Sequence, residues 1–206
     1  MTLLHPCYFP NAYLFSLIMK GNIVWEVHDN YQKQTYRNRA HIATDRGLHM
    51  LSIPIVHMGN ANGRQYYKEV LVDNDYPWQR QHWRTLETAY RTSPFFEYYE
   101  DQIKPLYDER QEHLLAFNLS TIRTICECLQ LPYPTEKTEV FNLKPTHLVD
   151  GRDFVNAKKT YGNDLPDYVQ VFGDRHGFLP NLSILDVLFN LGPSTTSYLK
   201  NIQVAE

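Results

Sequence analysis

The sequence predicts an α/β fold in a single domain. The chain has 206 residues, a length typical of one domain that buries a full hydrophobic core without disulfides or a structural metal. Short apolar segments of strand composition dominate the first 75 residues, and apolar residues at helical spacing dominate residues 78–131. We therefore expect a mixed sheet from the N-terminal third, packed helices after it, and a C-terminal strand and helix that close onto the sheet.

The N-terminal third is predicted to begin with a strand at Thr2–Tyr8 and a helix at Asn11–Lys20. Pro10 precedes this helix and Gly21 follows it, which is the usual pattern at helix ends. Residues 29–39 are polar and basic, and are predicted as a loop or an edge strand. Further strands are predicted at Ile23–His28, His49–Val56 and Lys68–Val72, with a turn at Gly59–Gly63.

The middle of the chain is predicted to be helical. Large apolar residues recur at helical spacing from Trp78 to Tyr90, and Pro94 is expected to end this helix at Ser93 because the residue before a proline disfavours helical geometry. The segment Phe95–Asp108 is predicted to be helical in part, and Leu115–Leu129 to form another helix in which Asn118 or Ser120 caps a break.

The C-terminal part begins with residues 134–157, which have little pattern beyond a possible strand at Glu139–Leu143 and are predicted to form a long connection within one domain that spans residues 1–206. A strand is predicted at Tyr168–Phe172. The final helix is predicted from Ile184 to Leu191, with Ser183 as its N-cap, Asp186 at the third helical position, and Gly192 at its exit.

Composition limits the kind of partner. The formal net charge is −3, which argues against a dedicated nucleic-acid or membrane-surface binder and favours a small partner. No apolar stretch reaches the 18 or so residues of a membrane span, and Met1–Tyr8 lacks the features of a signal peptide, so we expect a cytoplasmic protein with no membrane insertion. Cys7, Cys126 and Cys128 are predicted to be reduced core residues.

Tyrosine is abundant and glycine scarce, with 15 Tyr against 9 Gly. Either the tyrosines pack in the core, or some of them line a polar and aromatic cleft for a sugar or nucleotide. The chain has no GxGxxG, P-loop, HExxH, GxSxG or CxxC motif, which argues against a conventional nicotinamide or P-loop enzyme. We therefore expect side chains, rather than a glycine-rich loop, to contact any phosphate.

The run Tyr31–Arg39 is the first candidate binding segment. Its cations and tyrosines, Tyr36, Arg37 and Arg39 among them, suit a phosphate or carboxylate, because arginine presents a planar fork to oxyanions and tyrosine can stack or donate. The alternative is a solvated edge strand whose like charges prevent pairing with other chains.

His82 is the candidate general base, because histidine exchanges a proton near neutral pH. The alternative is a core histidine that a backbone carbonyl satisfies. His5, at the end of the first predicted strand, has the same two interpretations, and ligands of open α/β sheets collect at such strand ends.

Asn181 and Asp186 lie with Arg175 and His176 in a third candidate segment, Phe172–Pro193; alternatively these polar residues only cap the following helix. His41, His49 and His57 are spaced by eight residues, which fits no known coordination geometry, so no metal site is predicted.

At these same segments the chain resembles the WbqC-like family. The resemblance lies in HPCYFP with Tyr8 and Pro10, in NYQKQTYRNR with Asn38 and Arg39, in LSIPI, in the helix from Trp78 to Phe95, and in GFLPNLSILDVLFNLGP. It runs from about residue 3 to 198, nearly the whole chain. The family positions that fall on Tyr8, Asn38, Arg39, His82, Tyr90, Asn181 and Asp186 are candidates by pattern only.

The resemblance implies a role in surface-polysaccharide (O-antigen) synthesis, for which transfer of an aminoacyl group, specifically glycyl, to a sugar has been suggested. The substrate would be a small-molecule, nucleotide-linked or lipid-linked sugar. Arg37 and Arg39 would hold a phosphate or carboxylate, His82 would deprotonate the attacking group, and Tyr36 and Tyr90 would stack on the sugar or base. The rival hypothesis is a noncatalytic binding or scaffold protein of the same pathway. The cofactor and the oligomeric state are not specified.

Overall fold

The strands are divided between two sheets. The protein is described here by a computed structural model, which covers residues 1–56, 65–159, 161 and 164–203. The strands in these residues are β1 (Thr2–Leu4), β2 (Ile23–Trp25), β3 (Arg39–Thr44), β4 (Gly47–Ser52) and β5 (Val149–Asp150). β2, β1 and β5 form a parallel sheet in that order, whereas β3 and β4 form a separate antiparallel hairpin.

The helices pack around both sheets. They are α1 (Ala12–Met19), α2 (Trp78–Tyr90), α3 (Phe96–Ile103), α4 (Pro105–Asp108), α5 (Leu114–Cys128), α6 (Gly173–His176), α7 (Ile184–Leu191) and α8 (Thr195–Lys200). The predicted α/β class is therefore confirmed. That residues 1–206 form one domain with a connection at 134–157 stays a prediction.

Local signals determine the ends of α1. The side chain of Asn11 accepts a hydrogen bond from the Leu14 N–H at 2.9 Å, which is the usual N-cap contact. After α1, Gly21 adopts a φ of +79°, a conformation that glycine reaches without strain. The helix is apolar on nearly all sides and almost wholly buried, and it packs against α7 and α8.

The C-terminal helix α7 closes the fold against the N-terminal elements, as predicted. Ser183 caps it, and the N–H groups of Ser183 and Ile184 donate to the carbonyls of His41 in β3 and Pro10, both at 2.8 Å. At the other end of α7, Gly192 lies so close to the ring of Phe95 that a Cβ there would meet ring atoms at 2.5 Å. These contacts fix α7 to the turn between β1 and α1, to β3 and to the start of α3.

Four predicted local features differ in the structure. Tyr168–Phe172 and Glu139–Leu143 form no strand, Lys68–Val72 contains a 3₁₀ turn at Tyr67–Glu69, and α5 continues without a break at Asn118. In the Tyr168 segment side chains replace strand pairing: Gln170 exchanges hydrogen bonds with the backbone of Leu179 at 2.9 Å. The predicted turn at Gly59–Gly63 lies outside the described residues.

No helix in the described part of the chain is long and apolar enough to cross a bilayer.

Candidate functional site

The carboxyl edge of the parallel sheet is where the topology predicts a site. The chain passes from β1 through α1 to β2 on one side, while β5 lies on the other side of β1. The strand order therefore reverses at β1, and ligands of open parallel sheets bind outside the strand ends at such a point. His5 directly follows β1 here, and Glu26 follows β2.

The polar loop 29–38 crosses this edge. The Tyr36 carbonyl accepts from the Tyr8 N–H at 3.0 Å, and the Tyr36 N–H donates to the Val155 carbonyl at 2.8 Å. The side chain of Asn38 donates to the carbonyl of Ile53 at 2.9 Å. The loop is thus held by its backbone, and its successive side chains, Tyr36 and Arg37, enter different environments.

Arg37 lies in a buried ionic cluster with Asp29 and His5. Its guanidinium donates to Asp29 at 3.3 Å and to the Asn30 carbonyl at 2.9 Å, and His5 Nε2 lies 3.2 Å from the same Asp29 oxygen. Burial lowers the pKa of His5 to about 4, so His5 is neutral at pH 7 and donates to the carboxylate. Burial acts to raise the pKa of Asp29, but the His5 hydrogen bond and the Arg37 charge lower it overall.

The ionic cluster therefore holds the loop in place. Arg37 is 1% exposed and its charge is matched by Asp29, so it presents no free fork to a ligand. Arg39, predicted as its partner in anion binding, is the first residue of β3 and pairs in the ladder with Ser52.

His82 lies in a second buried network. Its Nδ1 is 2.9 Å from the Tyr8 hydroxyl, which is 2.7 Å from the hydroxyl of Tyr107. A backbone hydrogen bond with Ser52 acts to raise the pKa of His82. Burial lowers the pKa of His82 to about 4 despite that backbone bond, which leaves a neutral ring inside an aromatic cluster.

Tyr90 and Asp186 form a third network. The hydroxyls of Tyr90 and Tyr168 each donate to the Asp186 carboxylate at 2.6 Å, and Gln170 and Asn190 donate to it as well. Asp186 is fully buried, and burial raises its pKa although these donors oppose the shift. The cluster joins α2 to α7, so Tyr90 and Asp186 do not reach a solvent-accessible cleft together.

A cleft of about 240 Å³ opens where loop 29–38 meets α1 and the hairpin of β3 and β4. Its lining combines polar or aromatic residues with apolar ones. The lining residues are Asn11, Tyr36, His41, Leu48, Lys159, Tyr161, Leu179, Pro180, Asn181 and Leu182. Of the residues predicted from the sequence, the structure brings Tyr36 and Asn181 together here.

Asn181 stabilises the wall of the cleft, and both polar atoms of its side chain already have hydrogen-bond partners. Its side-chain oxygen accepts from the Tyr13 N–H at 3.0 Å, and its amide donates to the Tyr161 carbonyl at 2.6 Å. It also adopts a φ of +53°, which asparagine tolerates better than most residues. Asn181 thus ties three segments into one wall.

His41 and Tyr161 are cleft residues that the sequence reasoning missed. The ring of His41 packs edge-on against Tyr36 at 5.5 Å, and burial together with the charge of Arg39 lowers its pKa. Tyr161 donates to Asp153 at 2.8 Å. The alternation of strand β3 could have indicated that His41 is a cleft residue. His41 lies between the buried residues Ala40 and Ile42, so its side chain faces away from the core.

Among the described residues, no three His, Cys, Asp or Glu side chains are grouped so that they could hold a metal ion.

Comparisons with known proteins identify the family. The WbqC-like protein family matches residues 5–163, which include the β1–α1 turn, loop 29–38 and Tyr161 but not the motif Gly177–Pro193. The Uncharacterized protein Rv1507c of Mycobacterium tuberculosis (strain ATCC 25618 / H37Rv) is 28% identical over 204 residues, which cover 82% of this chain and 84% of that protein. No solved structure matches the chain. The chain belongs to the WbqC-like protein family.

Proposed function

We propose that the protein is a cytoplasmic transferase that binds one sugar ring in the cleft and attaches an aminoacyl group, such as glycyl, to that sugar during surface-polysaccharide (O-antigen) biosynthesis. The lining of the cleft carries this proposal. Tyr36, Tyr161 and His41 provide rings and polar atoms, and leucine and proline side chains provide apolar surface. A sugar has both an apolar ring face and a set of hydroxyls, so it suits a wall of this mixed kind.

The volume of the cleft limits the ligand. About 240 Å³ is below the roughly 300–1,000 Å³ of sites that enclose drug-sized ligands. The cleft therefore accommodates one sugar ring, while a nucleotide or lipid attached to that sugar would lie outside it.

The chemical step requires a base, and we assign it to His41. The lowered pKa keeps this ring neutral at pH 7, so a ring nitrogen can accept a proton. An amine or hydroxyl of the sugar attacks the carbonyl carbon of an activated aminoacyl donor, which is an ester, thioester or acyl phosphate. The proton of the attacking group passes to His41, the new amide or ester bond forms, and the alcohol, thiol or phosphate of the donor leaves with the electron pair of the broken bond.

His82 is less suited to this role than His41. It is 6% exposed, its Nδ1 pairs with the Tyr8 hydroxyl, and it is not among the residues that line the cleft. We propose a positioning role for it, in which it and Tyr8 support the β1–α1 turn.

Noncatalytic sugar binding is the second candidate function. Two polar residues of the cleft favour it, because both already have partners within the protein. The Lys159 ammonium pairs with Asp153, and the Asn181 side chain forms hydrogen bonds with the backbone of Tyr13 and of Tyr161. These side chains stabilise the wall of the cleft, so few polar groups are left to assist His41 in a chemical step.

The experiment has two parts. Binding of free monosaccharides and amino sugars is followed by ligand-observed NMR for the unchanged protein, for Tyr36→Ala, and for His147→Gln as a control at an exposed histidine outside the cleft. Turnover is followed by mass spectrometry, which detects the gain of one glycyl group by nucleotide-linked amino sugars incubated with glycine and ATP, a glycyl thioester or glycyl-tRNA.

We expect Tyr36→Ala to lose sugar binding and His41→Gln to keep it while turnover falls about 10²–10⁴-fold. Sugar binding without any glycyl product would support the noncatalytic alternative and refute the transferase. Equal binding by the unchanged protein and Tyr36→Ala would refute the cleft as the sugar site.

A further inference from the structure

A second cavity, which we call the arginine groove, lies on the other face of the hairpin. Its volume is about 560 Å³, within the usual range of small-molecule sites. Side chains alternate between the two faces of a strand, so His41 and Leu48 face the cleft whereas Thr44 and His49 face the groove. The lining residues are Thr44, Asp45, Arg46, His49, Arg84, Thr85, Thr88, Ala89, Phe172 and Arg175.

Three guanidinium groups from different elements converge on this groove. Arg46 comes from the hairpin turn, Arg84 from α2 and Arg175 from α6. In the parts of the chain that the structure describes, none of these three side chains forms an ion pair or hydrogen bond, although Arg37 and Arg91 each hold a carboxylate. Three arginines against the single carboxylate of Asp45 leave the groove with an excess of positive charge.

The arginines are held near one another by the contact between α6 and the hairpin. His176 Nε2 donates to the Asp45 carbonyl at 3.0 Å, which fixes the residues next to Arg46 and Arg175 to each other. A Cβ added at Gly47 would lie 3.9 Å from Nδ1 of His176, so the hairpin turn approaches this ring closely. This contact keeps the backbone segments of Arg46 and Arg175 close to each other despite the repulsion between their charges.

The end of α1 is closed to anions, which makes the groove the better place for them. The first N–H groups of α1 already have acceptors: Ala12 donates to the Leu182 carbonyl, Tyr13 to Asn181 and Leu14 to Asn11. A phosphate that approached this helix would find no free donor.

We propose that the arginine groove binds the diphosphate of a small molecule. Several guanidinium groups that line one cavity suit a ligand with many negatively charged oxygens. A diphosphate has more of these oxygens than a carboxylate does. Ala89 and Phe172 provide an apolar wall for the part of the ligand that carries the diphosphate. The proposal does not depend on what the cleft binds.

The test uses the full chain and two soluble probes, inorganic diphosphate and uridine diphosphate, in isothermal titration calorimetry. Arg84→Gln and Arg175→Gln each remove one guanidinium from an exposed position. Arg80→Gln is the matched control, because Arg80 is an exposed arginine of the same helix that does not line the groove. We expect each groove variant to raise the Kd about tenfold and the control to leave it unchanged.

Two further arms identify the source of the diphosphate. Tighter binding of uridine diphosphate than of inorganic diphosphate would support a nucleotide ligand. Equal binding of the two, with capture of phosphatidylcholine vesicles that carry a polyprenyl diphosphate, would support a lipid-linked one.

Three results would overturn the proposal. These are no binding of either probe, sulfate binding as tight as diphosphate binding, and the same Kd for Arg84→Gln, Arg175→Gln and the unchanged protein. Binding only to vesicles of anionic lipid that lack diphosphate would also overturn it, because the groove would then be a general membrane-contact surface.

Discussion

The buried His82 should make stability depend on pH in a way that one substitution tests. The folded pKa is about 4 against an ordinary value of 6.5. As the pH falls below 6.5, protons bind the unfolded chain before they bind folded His82, so the free energy of unfolding decreases. Between about pH 7.5 and about pH 5 this difference corresponds to about 2 kcal/mol for His82, and the equally lowered pKa of His5 adds a similar amount.

The assay is urea unfolding at these two pH values, followed by tryptophan fluorescence. We expect His82→Gln to lose about 2 kcal/mol less than the unchanged protein between them, because the other shifted histidines, His5 and His41, contribute equally to both proteins. The raised pKa of Asp186 acts in the opposite direction, but it is common to both proteins and cancels in their difference.

His147→Gln controls for the loss of one histidine at an exposed position and should keep the full dependence. If His82→Gln lost as much stability as the unchanged protein, the argument that folding holds His82 neutral would be refuted. The comparison is one of pH dependence, so a lower absolute stability of the variant does not affect it.

Three further predictions concern structural contacts and are measured by urea unfolding. Asp186→Ala should cost about 3 kcal/mol or more, because two buried tyrosine hydroxyls lose their acceptor; a change below about 1 kcal/mol would contradict this. Ser183→Ala should cost about 1 kcal/mol through loss of its N-cap bond, and an unchanged midpoint would count against it. Gly192→Ala should cost about 2 kcal/mol or more by contact with Phe95, whereas Gly177→Ala, which also has a positive φ but meets nothing within 4 Å, is the matched control; equal effects would contradict the clash.

The capped helices were predictable because their signals are local. Gly21 after α1, and Ser183 with Gly192 around α7, determine backbone geometry within a few residues of themselves. The prediction of a strand at Tyr168–Phe172 was wrong. Its alternation is real, since Tyr168 faces Asp186 while Val169 is 87% exposed, but alternation alone does not indicate whether a partner strand is present.

The site was predictable in part. The run Tyr31–Arg39 does cross the carboxyl edge of the sheet, and Tyr36 does line the cleft. The sequence does not indicate which carboxylate pairs with which cation. The pattern therefore predicts that Arg37 is free to bind an anion, whereas in the fold Arg37 forms an ion pair with Asp29. The tyrosines divide similarly: Tyr36 reaches a cavity, whereas Tyr8 lies in the core.

The hairpin is a common wall of the cleft and the arginine groove, and its turn therefore controls both. The Thr44 hydroxyl donates to the Gly47 carbonyl at 3.0 Å, and Gly47 adopts a φ of +94°, which L side chains rarely adopt. Because the strand period is two, a register slip of one residue would turn His41 away from the cleft and His49 away from the groove. One strained substitution at Gly47 would thus alter the linings of two cavities at once, although Gly47 lines neither of them.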